Sequence, residues 1–190
     1  MKIATCAFFV LFFCATVFAQ TVNLGQNVFY NDEGALVLTA DAAVAVLKLN
    51  SPYIMLMLYM GTKEKQSITV NQNDVVMIYK DQEFKMPTIK ELEERYKDQV
   101  NDADLYLRLG KESLALSRMR YWKYEAGVDF FPPPGQGTVA VDERSIVNDL
   151  GFRTRAYFKN PGFKKGDQIV INVKDKNKPG LRGSVAVVFE

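Results

Sequence analysis

The sequence predicts a mainly β protein, an antiparallel β-sandwich with a helical insertion over about residues 88–120. Three observations carry this expectation. Several segments alternate apolar and polar residues with period two. Tyr53 to Met60 is an unbroken apolar run held between Pro52 and Gly61, the pattern of a central strand covered on both faces. In the middle of the chain the period changes to that of a helix, starting from a capping signal at Thr88.

The chain has 190 residues, 48% of them hydrophobic, with 24 Lys+Arg against 22 Asp+Glu. That balance is globular, and its formal charge of +2 lacks the basic excess of a nucleic-acid binder, so no nucleic-acid partner is expected. The histidine count is zero, which excludes His-based triads and His metal ligands.

The elements follow in order. Residues 1–19 carry one basic residue, Lys2, then an uncharged apolar run to Ala19 ending in Val17-Phe18-Ala19, the pattern of a signal peptide. Polar Gln20, Thr21 and Asn23 follow without a basic stop-transfer cluster, so no stable membrane insertion is expected after cleavage. Residues 20–190 are then one β-sandwich domain. Both cysteines, Cys6 and Cys14, fall in the leader, so the exported domain would have no disulfide. Secreted or periplasmic localisation is the expectation.

Val44, Val46 and Lys48 alternate with Ala45, Leu47 and Leu49 and predict a strand before the central one. Gln66–Val70 and Asp74–Tyr79 predict a hairpin turning at Asn71-Gln72-Asn73. Thr88 and Glu91 then form a capping box, with Ile89, Leu92 and Tyr96 on one helical face and Glu91/Arg95 among the i,i+4 pairs. A second helix is predicted from near Asp102, with Leu105, Leu109, Leu116 and Met119 on one stripe and Gly110 as a break. Phe130-Phe131-Pro132-Pro133-Pro134 predicts an extended, exposed elbow. Arg153 to Lys159 alternates to give a wet, basic face. Gln168–Lys174 and Ser184–Glu190 predict a closing hairpin.

Over roughly residues 28–86 and 138–190 this strand pattern resembles the immunoglobulin-like or fibronectin-like sandwiches of exported bacterial proteins. It lacks the Cys-Trp-Cys pattern of antibody domains, and a fold-level resemblance implies no activity.

The most distinctive cluster is Arg120, Tyr121, Trp122, Lys123 and Tyr124, where the only tryptophan sits among tyrosines and cations. Such a mixture can stack on sugar rings and hold anionic groups, so these five residues are the candidate ligand-binding set. The same aromatics can instead pack the helical segment onto the sheet. Arg153, Arg155, Lys159, Lys164 and Lys165 offer a second, basic surface, or a guard on an edge strand. Asp98, Asn101, Asp102 and Asp104 lack calcium-loop spacing, and helix capping accounts better for Asp102, so no metal and no cofactor are predicted. Nucleophile elbows, S-x-x-K spacing and phosphate loops are missing. The expected function is an exported, non-catalytic binding or cell-envelope interaction module with a protein or envelope-polymer partner. The alternatives are a subunit of an envelope assembly and an exported hydrolase using two carboxylates.

Overall fold

The computed structural model describes residues 20–63 and 66–190, so the leader segment 1–19 lies outside the described residues. Its strands are β1 (Val22–Gly25), β2 (Val28–Asn31), β3 (Leu36–Asp41), β4 (Tyr53–Thr62), β5 (Ser67–Asn71), β6 (Val75–Tyr79) and β7 (Gln82–Lys85). After the helical segment come β8 (Lys123–Tyr124), β9 (Val128–Asp129), β10 (Val139–Ala140), β11 (Glu143–Val147), β12 (Leu150–Lys159), β13 (Gln168–Lys174) and β14 (Arg182–Val188). The helices are α1 (Ala43–Leu47), α2 (Ile89–Arg95), α3 (Gln99–Leu109) and α4 (Glu112–Ala115), the last running into a 3-10 turn at Leu116–Arg118.

The protein is mainly β, with antiparallel sheets packed as a sandwich. The larger sheet has the order β1-β2-β3-β4-β12-β11-β5, with β8 lying parallel beside β12. The smaller has the order β14-β13-β6-β7. The first four strands run as an antiparallel meander. Its first hairpin, and the one joining β6 to β7, turn on two residues in the left-handed region: Gln26 (φ 54°) with Asn27 (67°), and Lys80 (49°) with Asp81 (62°). Those backbone angles match the twist of the flanking strands.

Strand β4 is the centre. All ten of its residues are buried, and it pairs with β3 on one side and β12 on the other. One set of alternating side chains meets the helical segment: Tyr53 lies 5.7 Å from the Tyr96 ring, and Tyr59 shares a 2.5 Å hydroxyl hydrogen bond with Tyr106 of α3. By strand alternation Ile54, Leu56, Leu58 and Met60 point the other way, into the sandwich. Ile68 and Val70 from β5, Val75 and Met77 from β6, Ile169, Ile171 and Val173 from β13, and Val185 and Val187 from β14 complete one connected core.

One half of the capping box forms: the Thr88 hydroxyl accepts from the Glu91 amide at 3.1 Å, while the Glu91 carboxylate pairs with Arg95 at 3.5 Å instead of reaching back to the cap. Leu92 and Tyr96 are buried. Gly110 terminates α3 in the left-handed conformation, φ 61°. Strands β12, β13 and β14 also stand where the alternation puts them, with β13 and β14 paired from Gln168↔Val188 to Lys174↔Arg182.

Several expectations are corrected. The strand expected at Val44–Leu49 is the short helix α1, because the alanine-rich run follows Asp41, whose Oδ1 accepts from the Ala43 amide at 2.9 Å. The hairpin expected around Asn71–Asn73 is a crossing between sheets. Strand β5 pairs with β11 and β6 with β13, while Asn71 accepts from the Asn73 amide to close a single 3-10 turn. Helix α3 begins at Gln99, and it buries Gln99, Asp102, Ala103 and Tyr106 while leaving Leu105 and Leu109 only part-buried. The basic face of β12 is wet only at its end, where Lys159 is exposed. Its Tyr157 is buried, Arg153 pairs with Glu112 and Arg155 with Asp129, and the strand is internal, so no edge exists there for the charges to guard. In the proline elbow Phe130, Phe131 and Pro133 are buried, and only its far end is exposed.

Two close approaches need glycine. At the corner where β14 begins, a Cβ on Gly183 would collide with the Leu36 carbonyl and one on Gly34 with the Arg182 carbonyl. At the far end of the larger sheet the free edge of β5 is bracketed by the β13–β14 turn. Thr69 donates its amide to Asp175 at 2.7 Å and accepts the Lys176 amide at 2.8 Å. Because backbone cannot yield as a side chain does, Gly183→Ala is expected to cost about 3 kcal/mol, measured as a lowered urea midpoint at unchanged slope. A midpoint within error of the parent would show that the corner has slack.

Candidate functional site

The helical segment delivers the candidate cluster onto the sheet. Met119 is fully buried at the end of the 3-10 turn, and the Trp122 amide donates to its carbonyl at 3.2 Å. The Lys123 amide then donates to Asp149 at 2.6 Å, and β8 pairs with Leu150 and Gly151. The segment is thus fixed at both ends, and Arg120 and Tyr121 are its tip.

Two glycines make room beneath it. A Cβ on Gly61 of β4 would fall within the Trp122 indole, and one on Gly151 of β12 would collide with Trp122 and Tyr124. The indole therefore lies against bare backbone and is half-buried. Tyr124 stands edge-on to Tyr59, centroids 5.6 Å apart, and its hydroxyl is buried without a hydrogen-bond partner. Burial, and then the neighbouring Tyr59, raise the Tyr124 pKa. These two aromatics face inward.

The other three face solvent. Tyr121 is 72% exposed, the highest value among the exposed large hydrophobic residues described. Its ring stands edge-on to Trp122 at 6.5 Å, and the Arg120 guanidinium lies 5.5 Å from its centroid in a cation–π contact. Lys123 is exposed and pairs with Asp149 at 2.9 Å; that bond raises the Lys123 pKa and lowers that of Asp149. The structure thus brings Arg120 and Tyr121 together on a rigid base of Trp122, and turns Tyr124 away from them. Lys164 and Lys165 are exposed beyond the Asn160–Gly162 turn.

Charged groups far apart in sequence tie the covering segment down. Lys48 bonds to Asp102 at 2.5 Å, to Asp98 at 3.1 Å and to the Tyr96 hydroxyl at 3.1 Å. Asp102 is 1% exposed, so its role is to hold α3 to the end of α1 rather than to cap a helix. Burial alone would lower the Lys48 pKa, but the hydrogen bonds from Lys48 to Asp102 and Tyr96 outweigh it and raise the value. Asp129 is a second knot. Its Oδ1 accepts from the amides of Phe131 and Arg155 and from the Thr154 hydroxyl, and its Oδ2 pairs with Arg155 at 2.5 Å.

Two clefts open to solvent beside the helical segment. One of about 460 Å³ lies between Asn71–Asn73, Asp142 and the start of α2; another of about 360 Å³ lies between Lys48 and Asn101, Asp104, Leu105 and Arg108 of α3. Among the described residues no three His, Cys, Asp or Glu side chains converge as a metal site. No protein-family model, curated protein or solved structure matches this chain. The functional reading therefore rests on its own residues.

Trp122→Ala would empty the space over Gly61 and Gly151 and is expected to cost about 3 kcal/mol, whereas Tyr121→Ala should stay within about 0.5 kcal/mol. Denaturant melts of the two variants check the difference, and equal losses would contradict the inward and outward assignment. Lys48→Ala leaves Asp102 buried without its cation and is expected to cost about 3 kcal/mol. A melt unchanged by that substitution would show the knot to be dispensable.

Proposed function

We propose that this chain is an exported, non-catalytic recognition module of the cell envelope, and that Arg120, Tyr121 and Lys123 form its contact surface over a Trp122 base. The observation that carries this reading is the exposure of Tyr121. An aromatic ring 72% open to water, in cation–π contact with a guanidinium and set edge-on to the half-buried Trp122, is organised in advance for a partner. An exposed aromatic face beside cations suits an anionic glycan, whose sugar rings stack while its acidic groups meet Arg120 and Lys123. The apolar run of residues 1–19 supports delivery outside the cytoplasm, to a secreted or periplasmic location.

An immunoglobulin-like kinship of the sandwich belongs to the same proposal. The two facing antiparallel sheets and the β13–β14 hairpin support it, and the β1–β4 meander departs from the crossed connections such sandwiches use. A rigid scaffold carrying recognition on an inserted segment is consistent with it. The assembly-subunit reading has one observation in its favour: Leu47 on α1 and Leu107 on α3 are 61% and 66% exposed.

The test is co-sedimentation of the chain with purified envelope polymers, comparing wild type with Tyr121→Ala and Arg120→Ala. Each variant is expected to lose at least about tenfold in binding, the scale of one stacked aromatic, while its melting curve stays unchanged. Binding that persists undiminished in both variants would dismiss this surface. A chain that binds no polymer and runs as a stable oligomer would favour the assembly subunit.

A further inference from the structure

The end of β3 buries a carboxyl group that the recognition surface does not use. Asp41 is 2% exposed. Its Oδ1 accepts from the Ala43 amide at 2.9 Å, while its Oδ2 is buried without any hydrogen-bond partner. It sits where β2 (across Val28), β4 (across Met57) and the start of α1 meet beneath the cover, with α4 packed on β3 and Tyr106 of α3 close enough to feel its charge.

The groups around it are mostly uncharged or engaged elsewhere. From β4 and α3 come Tyr59 and Tyr106, which share one buried hydrogen bond and feel the Asp41 charge. Burial is the first cause that pushes Tyr59 up to about 12 and raises Tyr106 further. Lys111, at the start of α4, is the cation whose charge favours ionised Asp41, but its ammonium is hydrogen-bonded to Gln26. Glu112 of α4 is bound to Arg153 of β12. From β2 and α1 come its ladder partner Val28 and the Ala43 amide, and the Asn27 backbone carbonyl just before β2 accepts from the Ala42 amide.

We propose that Asp41 is a proton-operated latch for the helical cover, Gln99 to Arg118. While Asp41 is neutral, α3 and α4 stay docked on β3 and β4. Ionisation places a negative charge in a buried site beneath them, with one carboxylate oxygen unpartnered, and loosens the cover. The latch does not depend on what Tyr121 meets, although the segment it holds leads directly into Arg120 and Tyr121.

The sign follows from the direction of the shift. Burial, partly offset by the Ala43 amide and Lys111, raises Asp41 from 3.8 to about 6. A carboxyl raised on docking contributes stability that is complete below 3.8 and is lost as pH rises through about 6. Acid therefore closes the cover and neutral pH frees it.

The test is hydrogen–deuterium exchange of the α3 amides in the full chain, at pH 5 and pH 7.5, corrected for intrinsic exchange. Wild type is expected to lose protection about tenfold over that interval, and Asp41→Asn to show no such change. Equal wild-type protection at both pH values, or an Asp41→Asn chain with the wild-type dependence, overturns the latch. Should the variant fail to fold, carbon-13 NMR titration of the Asp41 carboxyl in wild type decides. A midpoint near 6 supports the proposal, and one in the ordinary carboxylate range overturns it.

Discussion

A strand with no polar face must be covered twice, and this requirement on β4 organises the molecule. Its ten buried residues cannot face water on either side. The smaller sheet covers one face. The other would be bare without the segment from α2 to β8, so the helices are half of the enclosure and not an ornament on a finished sandwich. Tyr53, Tyr59 and Gly61 meet, respectively, Tyr96, Tyr106 and Trp122, so that one strand contacts the cover at three successive points.

Apolar contact alone does not fix where such a cover sits, because a hydrophobic face tolerates sliding. The ionic knots supply the register. Lys48 fastens the start of α3 to the end of α1, and Asp129 fastens the Val128–Phe131 segment to β12 through both carboxylate oxygens. Neither pair is a strong net source of stability, since each ion loses its water on burial. Their contribution is that misplacement would leave an unpaired charge in a dry interior. Tyr121 inherits its fixed position from that constraint together with the two glycines.

Much of the sandwich was legible in the sequence, for stated physical reasons. The run Tyr53–Met60 has no polar side, the alternation in β13 and β14 has a single phase, and Thr88 with Glu91 spells a helix start; each leaves one solution. The failures share a cause. Val44 to Leu49 alternates over too short a span to distinguish strand from helix, and the alanines and the Asp41 turn bond to the Ala43 amide decide it. Asn71–Asn73 turns equally well within a sheet or between two, because the choice is made by distant partners β11 and β13. Arg153 and Arg155 read as solvent-facing because their partners, Glu112 and Asp129, lie far away in sequence. At the candidate site composition located the cluster but not its orientation. Gly61 and Gly151 were the available signal for the inward indole, and a glycine's meaning shows only once the facing side chain is known.

The bracket on β5 bears on how the protein behaves in company. A strand at the end of a sheet normally offers its open row of amides and carbonyls to any other chain, which is how folded proteins begin to polymerise. Here Thr69, in the middle of that row, already has both backbone groups engaged by Asp175 and Lys176. The larger sheet is therefore closed to lengthening at this end by the chain's own turn, and a protein crowded among its copies is guarded there against growing into fibres.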